Sequence, residues 1–295
     1  MTAQLIDGKL IAQQVRDEVA AKVAERVAAG KSKPTLATVL VGERMDSATY
    51  VASKQKACAE LGMGSVSHNL PSDISQEDLE KLIKSLNDDK SVHGILVQLP
   101  LPAHLNEERL LQLVSIEKDV DGFSPINIGR LAQKGREPLF VPCTPYGCIY
   151  LFEKAGVKIE SANAVVLGRS NIVGMPAALL LISRNATVTV CHSRTRDLPN
   201  VVRQADILIA VMGRPRAITA DMVRDGAVVI DVGVNAIPDA TRKKGTRLVG
   251  DVDYDAVAVK AAAITPVPGG VGPMTRAMLL YNTVLAASGG PAAAG

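Results

Sequence analysis

The chain has 295 residues, of which 47% are hydrophobic and 3% aromatic, with a formal net charge of +3 at pH 7. This length suits two modest domains or one large one, with apolar material for sizeable aliphatic cores. The small charge and scarce aromatics argue against a nucleic-acid binder, and no apolar run approaches the ~18 residues that span a bilayer.

The N-terminal MTAQLIDGKL lacks the basic flank and long apolar core of a signal peptide. Residues from Asp7 to Gly30 predict a helix with Asp7 as N-cap and Gly30 as stop. Its apolar stripe is Ile11, Val15, Val19, Val23 and Val27. Thr35–Val41 is a β-branched strand ended by Gly42. Asp46-Ser47 opens a helix to about Leu61, with Gly62 beyond it. A strand over Ser65–Leu70, a helix over Ser75–Leu86 capped by Ser75, and a strand over Gly94–Leu99 follow. Pro100-Leu101-Pro102 ends that strand, and a short helix spans Asn106 to Val114. Strands alternating with helices predict βαβ units and a parallel sheet.

From Asp119 to Thr144 the pattern loosens. Thr144-Pro145 starts a helix that runs to Ala155, and the domain crossing is expected near it. A second alternation follows, with strands at Asn163–Leu167, Thr187–Cys191, Ile207–Val211, Ala227–Val232 and Ala263–Thr265. Arg242-Lys243-Lys244 reads as a solvated loop. The Pro/Gly run over residues 266–273 is expected to be neither helix nor ladder strand. A last helix spans Met274–Ala287, and the SGGPAAAG tail is expected to fray.

The second alternation opens on Ala164-Val165-Val166-Leu167-Gly168-Arg169-Ser170-Asn171-Ile172-Val173-Gly174. A buried strand running through a glycine turn onto a helix N-terminus is a site for a phosphate-bearing nucleotide. The usual fingerprint is G-x-G-x-x-G. Here Ser170 replaces the middle glycine and Gly174 comes one residue late, so an ordinary strand–turn–helix connection stays open. After the next strand, where an NAD site carries an acid, the chain has Ser193 and Arg194, with Arg169 in the glycine turn. Hydroxyl and guanidinium groups suit a 2′-phosphate and favour NADP; a basic surface loop is the alternative.

Ser47, Tyr50 and Lys54 fall three and four residues apart and share one face of the predicted helix. That face is either plain surface or, with Lys54 partly buried, the place of an acid/base amine. Gln98 is a polar residue near the end of an apolar strand, either a satisfied amide or part of a site. Asp119 and Asp121 sit two apart beside Gly122 in Lys118-Asp119-Val120-Asp121-Gly122-Phe123. They form a solvated turn, or one carboxylate reads two donors on a flat heterocycle; the other oxygen ligands of a calcium loop are absent. Val232-Gly233-Val234-Asn235 ends a strand where backbone could meet a nicotinamide edge. Cys58, Cys143, Cys148 and Cys191 form no C-x-x-C pair and have no His at zinc-ligand spacing. They read as reduced thiols of a cytoplasmic protein, and no metal is expected.

Taken together, these motifs resemble the methylenetetrahydrofolate dehydrogenase/methenyltetrahydrofolate cyclohydrolase family. The resemblance rests on Val41-Gly42, Ser47-x-x-Tyr50-Val51-x-x-Lys54-x-Lys56-Ala57, Gly94-Ile95-Leu96-Val97-Gln98-Leu99-Pro100-Leu101-Pro102 and Lys118 to Phe123. Pro142-Cys143-Thr144-Pro145, Gly168-Arg169-Ser170 and Pro266 to Thr275 complete it, in order from about residue 5 to 285. It implies an α/β fold of two domains. An N-terminal α/β catalytic domain takes residues 1–142, with the last helix, 273–288, packing back on it. A Rossmann-like NADP-binding domain takes 143–272. Lys54, Gln98, Asp121 and Tyr50 take the catalytic roles. Ser47, Tyr50, Val97, Leu99, Pro100, Asp121, Gly272 and Pro273 contact the tetrahydrofolate derivative. Gly168, Arg169, Ser170, Ser193, Arg194 and Val234 hold NADP. A homodimer is implied, without nucleic-acid or membrane partners, feeding one-carbon units to purine, histidine and methionine biosynthesis. A monofunctional dehydrogenase of similar build and a non-catalytic NADP-binding module are the alternatives.

Overall fold

The computed structural model describes residues 2–42, 45–242 and 245–290, and of residues 45–50 the backbone alone. The caps expected at Asp46 and Ser47, the loop residues Lys243 and Lys244, and residues 291–295 of the tail lie outside the described residues. In chain order, β1 (Gln4–Leu5) and α1 (Gly8–Ala28) precede β2 (Thr35–Val41), α2 (Met45–Glu60), β3 (Gly64–Leu70), α3 (Gln76–Asp88), β4 (Gly94–Val97), α4 (Glu107–Leu113) and α5 (Pro125–Leu131). Then come α6 (Cys143–Lys154), β5 (Asn163–Leu167), α7 (Gly174–Ser183), β6 (Thr187–Cys191), α8 (Leu198–Val202), β7 (Ile207–Ala210) and β8 (Val228–Asp231). The chain closes with β9 (Asn235–Pro238), β10 (Thr246–Val249), α9 (Tyr254–Val257), β11 (Ala263–Ile264) and α10 (Val271–Ala287).

Two compact units result, Met1–Gln13 with Thr144–Thr275 and Gln14–Cys143 with Arg276–Gly295. The first residues fall with the second half of the chain because β1 pairs in parallel with β11, Gln4 opposite Ala263 and Leu5 opposite Ile264. A two-residue strand carries no periodicity to announce this.

In the unit built on Gln14–Cys143 the sheet order is β3-β2-β4, all parallel. Ala37, Val39, Val41, Ile95 and Val97 pack against Leu79, Ile83 and Leu86 of α3 and Leu110 of α4. Ser75 caps α3 as its sequence predicts, its hydroxyl accepting from Asp78 N at 3.1 Å. Along α1, Val15, Val19 and Val23 are buried, while Val27 is 41% exposed, so the stripe stops a turn early. β4 ends at Val97, two residues sooner than expected. Gln98 N still donates to Val39 O at 2.9 Å, but Pro100 has no N–H with which to continue the ladder. The segment read as loose contains α5, capped by Ser124, whose hydroxyl accepts from Ile126 N at 3.3 Å. Seven residues without an apolar stripe cannot signal a helix; side chains from elsewhere fix it, as shown below.

The other unit holds a six-stranded parallel sheet, ordered β1-β11-β8-β7-β5-β6. From β5 the chain steps outward to β6 and then returns to β7 on the opposite flank of β5. The strand order thus reverses between β5 and β7, which is where such sheets bind ligands. β9 and β10 form an antiparallel hairpin, Asn235 opposite Val249, which the sequence did not suggest. α10 begins at Val271, earlier than the start near Pro273 and Met274 read from the sequence, so Gly272 joins Pro273 in its first turn. Proline is tolerated there because the first N–H groups of a helix have no intrahelical acceptor.

From Arg276 onward α10 belongs with the Gln14–Cys143 unit. Lys22 of α1 sits 5.0 Å from the Tyr281 ring centroid. Asn282 donates to the Val120 and Val141 carbonyls at 2.9 and 3.1 Å. Among the described residues no helix is long and apolar enough to cross a membrane.

Candidate active site

Lys54 lies in the middle of α2, half-buried, and its Nζ donates to Gln98 Oε1 at 3.0 Å. The Gln98 amide is oriented by its own neighbour: its Nε2 donates to the Leu99 carbonyl at 2.8 Å, which leaves the oxygen for the lysine. Burial pushes Lys54 below the ordinary lysine range. Asp121 and then Cys143 pull it back up, and Arg276 acts in the same direction as burial. A lysine held this way exchanges protons nearer neutrality than one in water.

Of the two carboxylates in Lys118 to Phe123, only one is available. Asp119 is 5% exposed and fully engaged, accepting from Phe123 N at 3.1 Å, Ser124 N at 2.8 Å and Asn127 Nδ2 at 2.9 Å. It therefore folds the chain into α5 and holds the turn, although burial lifts its own pKa to about 6. Gly122 follows with φ +77, and a Cβ there would lie 2.6 Å from Pro142 N. Asp121 is close enough to Lys54 for their charges to act on one another, and the solvated turn that was one reading of this stretch is not what forms. Burial raises the Asp121 pKa, while Lys54 and the Cys143 thiol oppose it. Amine and carboxyl are both pushed towards their neutral forms and attract one another as ions, an arrangement suited to sharing a proton.

The structure adds residues that sequence reasoning missed. The Cys143 thiol donates to the Val120 carbonyl at 3.3 Å and lies against Asp121, and burial pushes it well above the usual thiol range. Its place in Pro142-Cys143-Thr144-Pro145 was the one signal. Arg276 Nη1 donates to Ser53 Oγ at 3.1 Å, next to Lys54 in the chain. Two elements distant in sequence meet there, and nothing in either stretch alone marks the pair.

The other expected substrate residues are placed as follows. Ser47 and Tyr50 fall on α2, but their side chains lie outside the described residues. Val97 is buried in the core, so its side chain is not open to a ligand; Leu99 is half-buried and Pro100 exposed. Gly272 and Pro273 stand in the first turn of α10, within the other unit.

In that unit Gly168 follows β5 with φ +137, and a Cβ there would lie 2.3 Å from the Val211 carbonyl oxygen beyond β7. A Cβ on Gly174 would lie 2.2 Å from the Gly168 carbonyl oxygen. Both glycines are thus demanded by close backbone approach at the point where strand order reverses. Ser170 accounts for the late second glycine. Its hydroxyl accepts from Val173 N and Gly174 N, each at 3.2 Å, and so closes the longer turn onto α7. Neither bond uses the hydroxyl hydrogen. Gly168 N donates to the Cys191 carbonyl at 2.9 Å, bringing the turn alongside the residues that follow β6. Arg169, Ser170, Ser193 and Arg194 are all exposed there, and Val234 is 53% exposed beyond β8. A helix N-terminus edged with guanidinium groups is an anion site.

The catalytic-domain model of the tetrahydrofolate dehydrogenase/cyclohydrolase family matches residues 6–121, and its NAD(P)-binding-domain model matches 142–289. Bifunctional protein FolD 2 of Arabidopsis thaliana is 55% identical over 283 residues, 96% of this chain and 95% of that protein. The bifunctional protein FolD of Moorella thermoacetica is 55% identical over 287 residues, 97% of this chain and 99% of that one. Among solved structures, the Trypanosoma brucei methylenetetrahydrofolate dehydrogenase-cyclohydrolase complexed with NADP and an inhibitor superposes with a TM-score of 0.93. It is 41% identical, covering 97% of this chain and 98% of that one.

Proposed function

This chain belongs to the tetrahydrofolate dehydrogenase/cyclohydrolase family, and from that premise we propose how its residues divide the work. The enzyme oxidises 5,10-methylenetetrahydrofolate to the 5,10-methenyl compound with NADP and hydrolyses that to 10-formyltetrahydrofolate. The bifunctional relatives favour this over the monofunctional alternative.

The residues around Gly168 fit a phosphate-bearing dinucleotide. Two glycines with no room for a Cβ let backbone come close, α7 offers its N-terminus, and Arg169, Ser193 and Arg194 supply donors. When bound, NADP supplies the hydride acceptor. Oxidation needs orientation more than proton transfer, since nitrogen lone pairs on the substrate expel the hydride. In our reading Asp121 orients the substrate by accepting from the pterin amino and ring N–H groups, and Tyr50 stacks on the ring plane.

Hydrolysis does need proton transfers. Water attacking the cationic methenyl carbon must lose a proton and the departing ring nitrogen must gain one, while the second water proton, given up as the formyl C=O forms, passes to solvent. Lys54 is the group we assign to both, with Gln98 holding the amine. A lysine locked in the protonated form would repel the cation; burial makes the neutral form accessible. The Lys54–Gln98 contact at 3.0 Å carries this reading. Purified protein given methylenetetrahydrofolate and NADP is expected to form NADPH. Given methenyltetrahydrofolate alone, it is expected to form the formyl product. Absence of NADPH formation overturns the assignment.

Two further outcomes are expected. Arg276→Gln removes a cation that disfavours protonation of Lys54. The amine then keeps its proton to higher pH, and the acid-side fall in hydrolysis rate moves upward in pH. A pH–rate profile superimposable on that of the unaltered enzyme refutes the effect. Arg194→Ala removes a charge-assisted contact with the 2′-phosphate. At about 2 kcal/mol it raises KM for NADP roughly thirtyfold and leaves KM for NAD unchanged. Equal effects on both dinucleotides place Arg194 away from the phosphate. We also propose a homodimer located in the cytoplasm; sedimentation equilibrium giving the mass of a single chain rules out the dimer.

A further inference from the structure

We propose that Asp251 is the positioning residue of the dinucleotide site, holding the loops after β7 and β8 as one wall with Val234 turned outward. The proposal rests on reading the Gly168 turn and Val234 as the place where NADP binds. Asp251 has no exposed surface, and its carboxylate gathers donors from two separate loops. Oδ2 accepts from Met212 N at 2.5 Å and Gly213 N at 2.9 Å. Oδ1 accepts from Arg214 N and from Asn235 Nδ2, both at 2.9 Å.

The first loop is the continuation of β7, whose next residue, Val211, presents the carbonyl that forbids a Cβ at Gly168. The second carries Val234 between two residues that Asp251 fixes. On one side is Asn235. On the other is Gly233, where a Cβ would lie 2.3 Å from Asp251 Cγ. Asp231, at the end of β8, anchors Asp251 in turn: its Oδ1 accepts from Asp251 N at 3.0 Å and from Gly233 N at 2.9 Å, and its Oδ2 from Val252 N at 2.9 Å. A Cβ at Gly250 would strike Asp231 Oδ2, so this glycine lets the two acids interlock.

A carboxylate is the one side chain with acceptor capacity for four donors from two directions and no hydrogen to intrude. Its position at the carboxyl ends of β7 and β8 lets it shape a ligand surface that it does not itself touch.

The test uses the full chain. Asp251→Asn keeps the shape but turns an amide hydrogen towards backbone N–H groups. Asn235→Ala removes only the tie to the Val234 loop. NADPH affinity is read by fluorescence titration, KM and kcat for NADP-dependent oxidation are separated, and methenyl hydrolysis without dinucleotide serves as the folding control. Asp251→Asn is expected to weaken NADPH binding at least tenfold, and Asn235→Ala less, with hydrolysis retained, the kinetic loss lying in KM, and the melting transition still cooperative and lowered only in Asp251→Asn, where buried donors lose their acceptor. Unaltered NADPH affinity in both variants overturns the proposal. So does a parallel loss of binding, hydrolysis and melting temperature in both, which marks plain unfolding. If the unaltered enzyme binds NADPH but oxidises no folate, the assigned function fails while this proposal stands.

Discussion

Lys54→Met is expected to remove methenyl hydrolysis while leaving the fold intact. Methionine matches the length of the lysine stem and has no proton to give or take. The loss should be about 100- to 10,000-fold, the usual contribution of a positioned acid/base group. The structural cost falls on the Gln98 carbonyl, which loses its donor at 3.0 Å but keeps its own amide anchored to Leu99, and on Asp121, which loses the cation that opposes its burial and relaxes towards its protonated form. One neutral hydrogen bond of this kind is worth about 1 kcal/mol, so the melting temperature should move only a few degrees. The pH profile of the unaltered enzyme supplies an independent reading. Burial lowers the Lys54 pKa, so the neutral amine is present above that value, and hydrolysis should fall as pH drops through it. A Lys54→Met protein that hydrolyses methenyltetrahydrofolate at most of the original rate removes Lys54 from the mechanism.

Gly174→Ala is expected to abolish dinucleotide binding. The new Cβ would stand 2.2 Å from the Gly168 carbonyl oxygen, a backbone atom that cannot rotate away as a flexible side chain can. Either Gly168 or the first turn of α7 must move, and both belong to the turn we propose for the phosphates. Overpacking of this kind costs about 1–3 kcal/mol where the surroundings yield. Here the yielding part is the site itself, so NADPH titration should show the loss directly. Hydrolysis, which we assign to Lys54, Gln98 and Asp121 in the Gln14–Cys143 unit, should persist. NADPH binding at unaltered affinity would show that the turn is not the phosphate site.

The two predictions draw on different kinds of legibility. The Gly168 turn could be read from the chain because strand, turn and helix are contiguous there. Its irregular spacing was visible as well, but not its cause. Ser170 bonding back to Val173 and Gly174 is a side-chain geometry, and only the folded turn displays it. Lys54 and Gln98 were each identifiable as odd residues in their stretches, and the family resemblance joined them. Their contact spans 44 positions of sequence. The pair Asp119 and Asp121 illustrates the limit more sharply. Two positions apart in sequence the two acids are equivalent, and it is Asn127, Ser124 and Phe123 that claim Asp119 and leave Asp121 uncommitted to the turn.

By itself the sequence determined what depends on neighbours along the chain. Alternating apolar runs and caps specified parallel βαβ units, because burial on one face and satisfaction of end groups are settled within a few residues. The motifs in order specified the family. The tertiary structure decided what depends on meeting partners far away. β1 joins a sheet whose other strands come after residue 160. The seven residues of α5, capped by Ser124, are held in place by Asp119, which accepts from Phe123 N, Ser124 N and Asn127 Nδ2. Asp251 draws the loops of two strands into one surface. Each outcome rests on hydrogen bonds formed only once burial has removed water as the competing partner. No local pattern encodes such bonds.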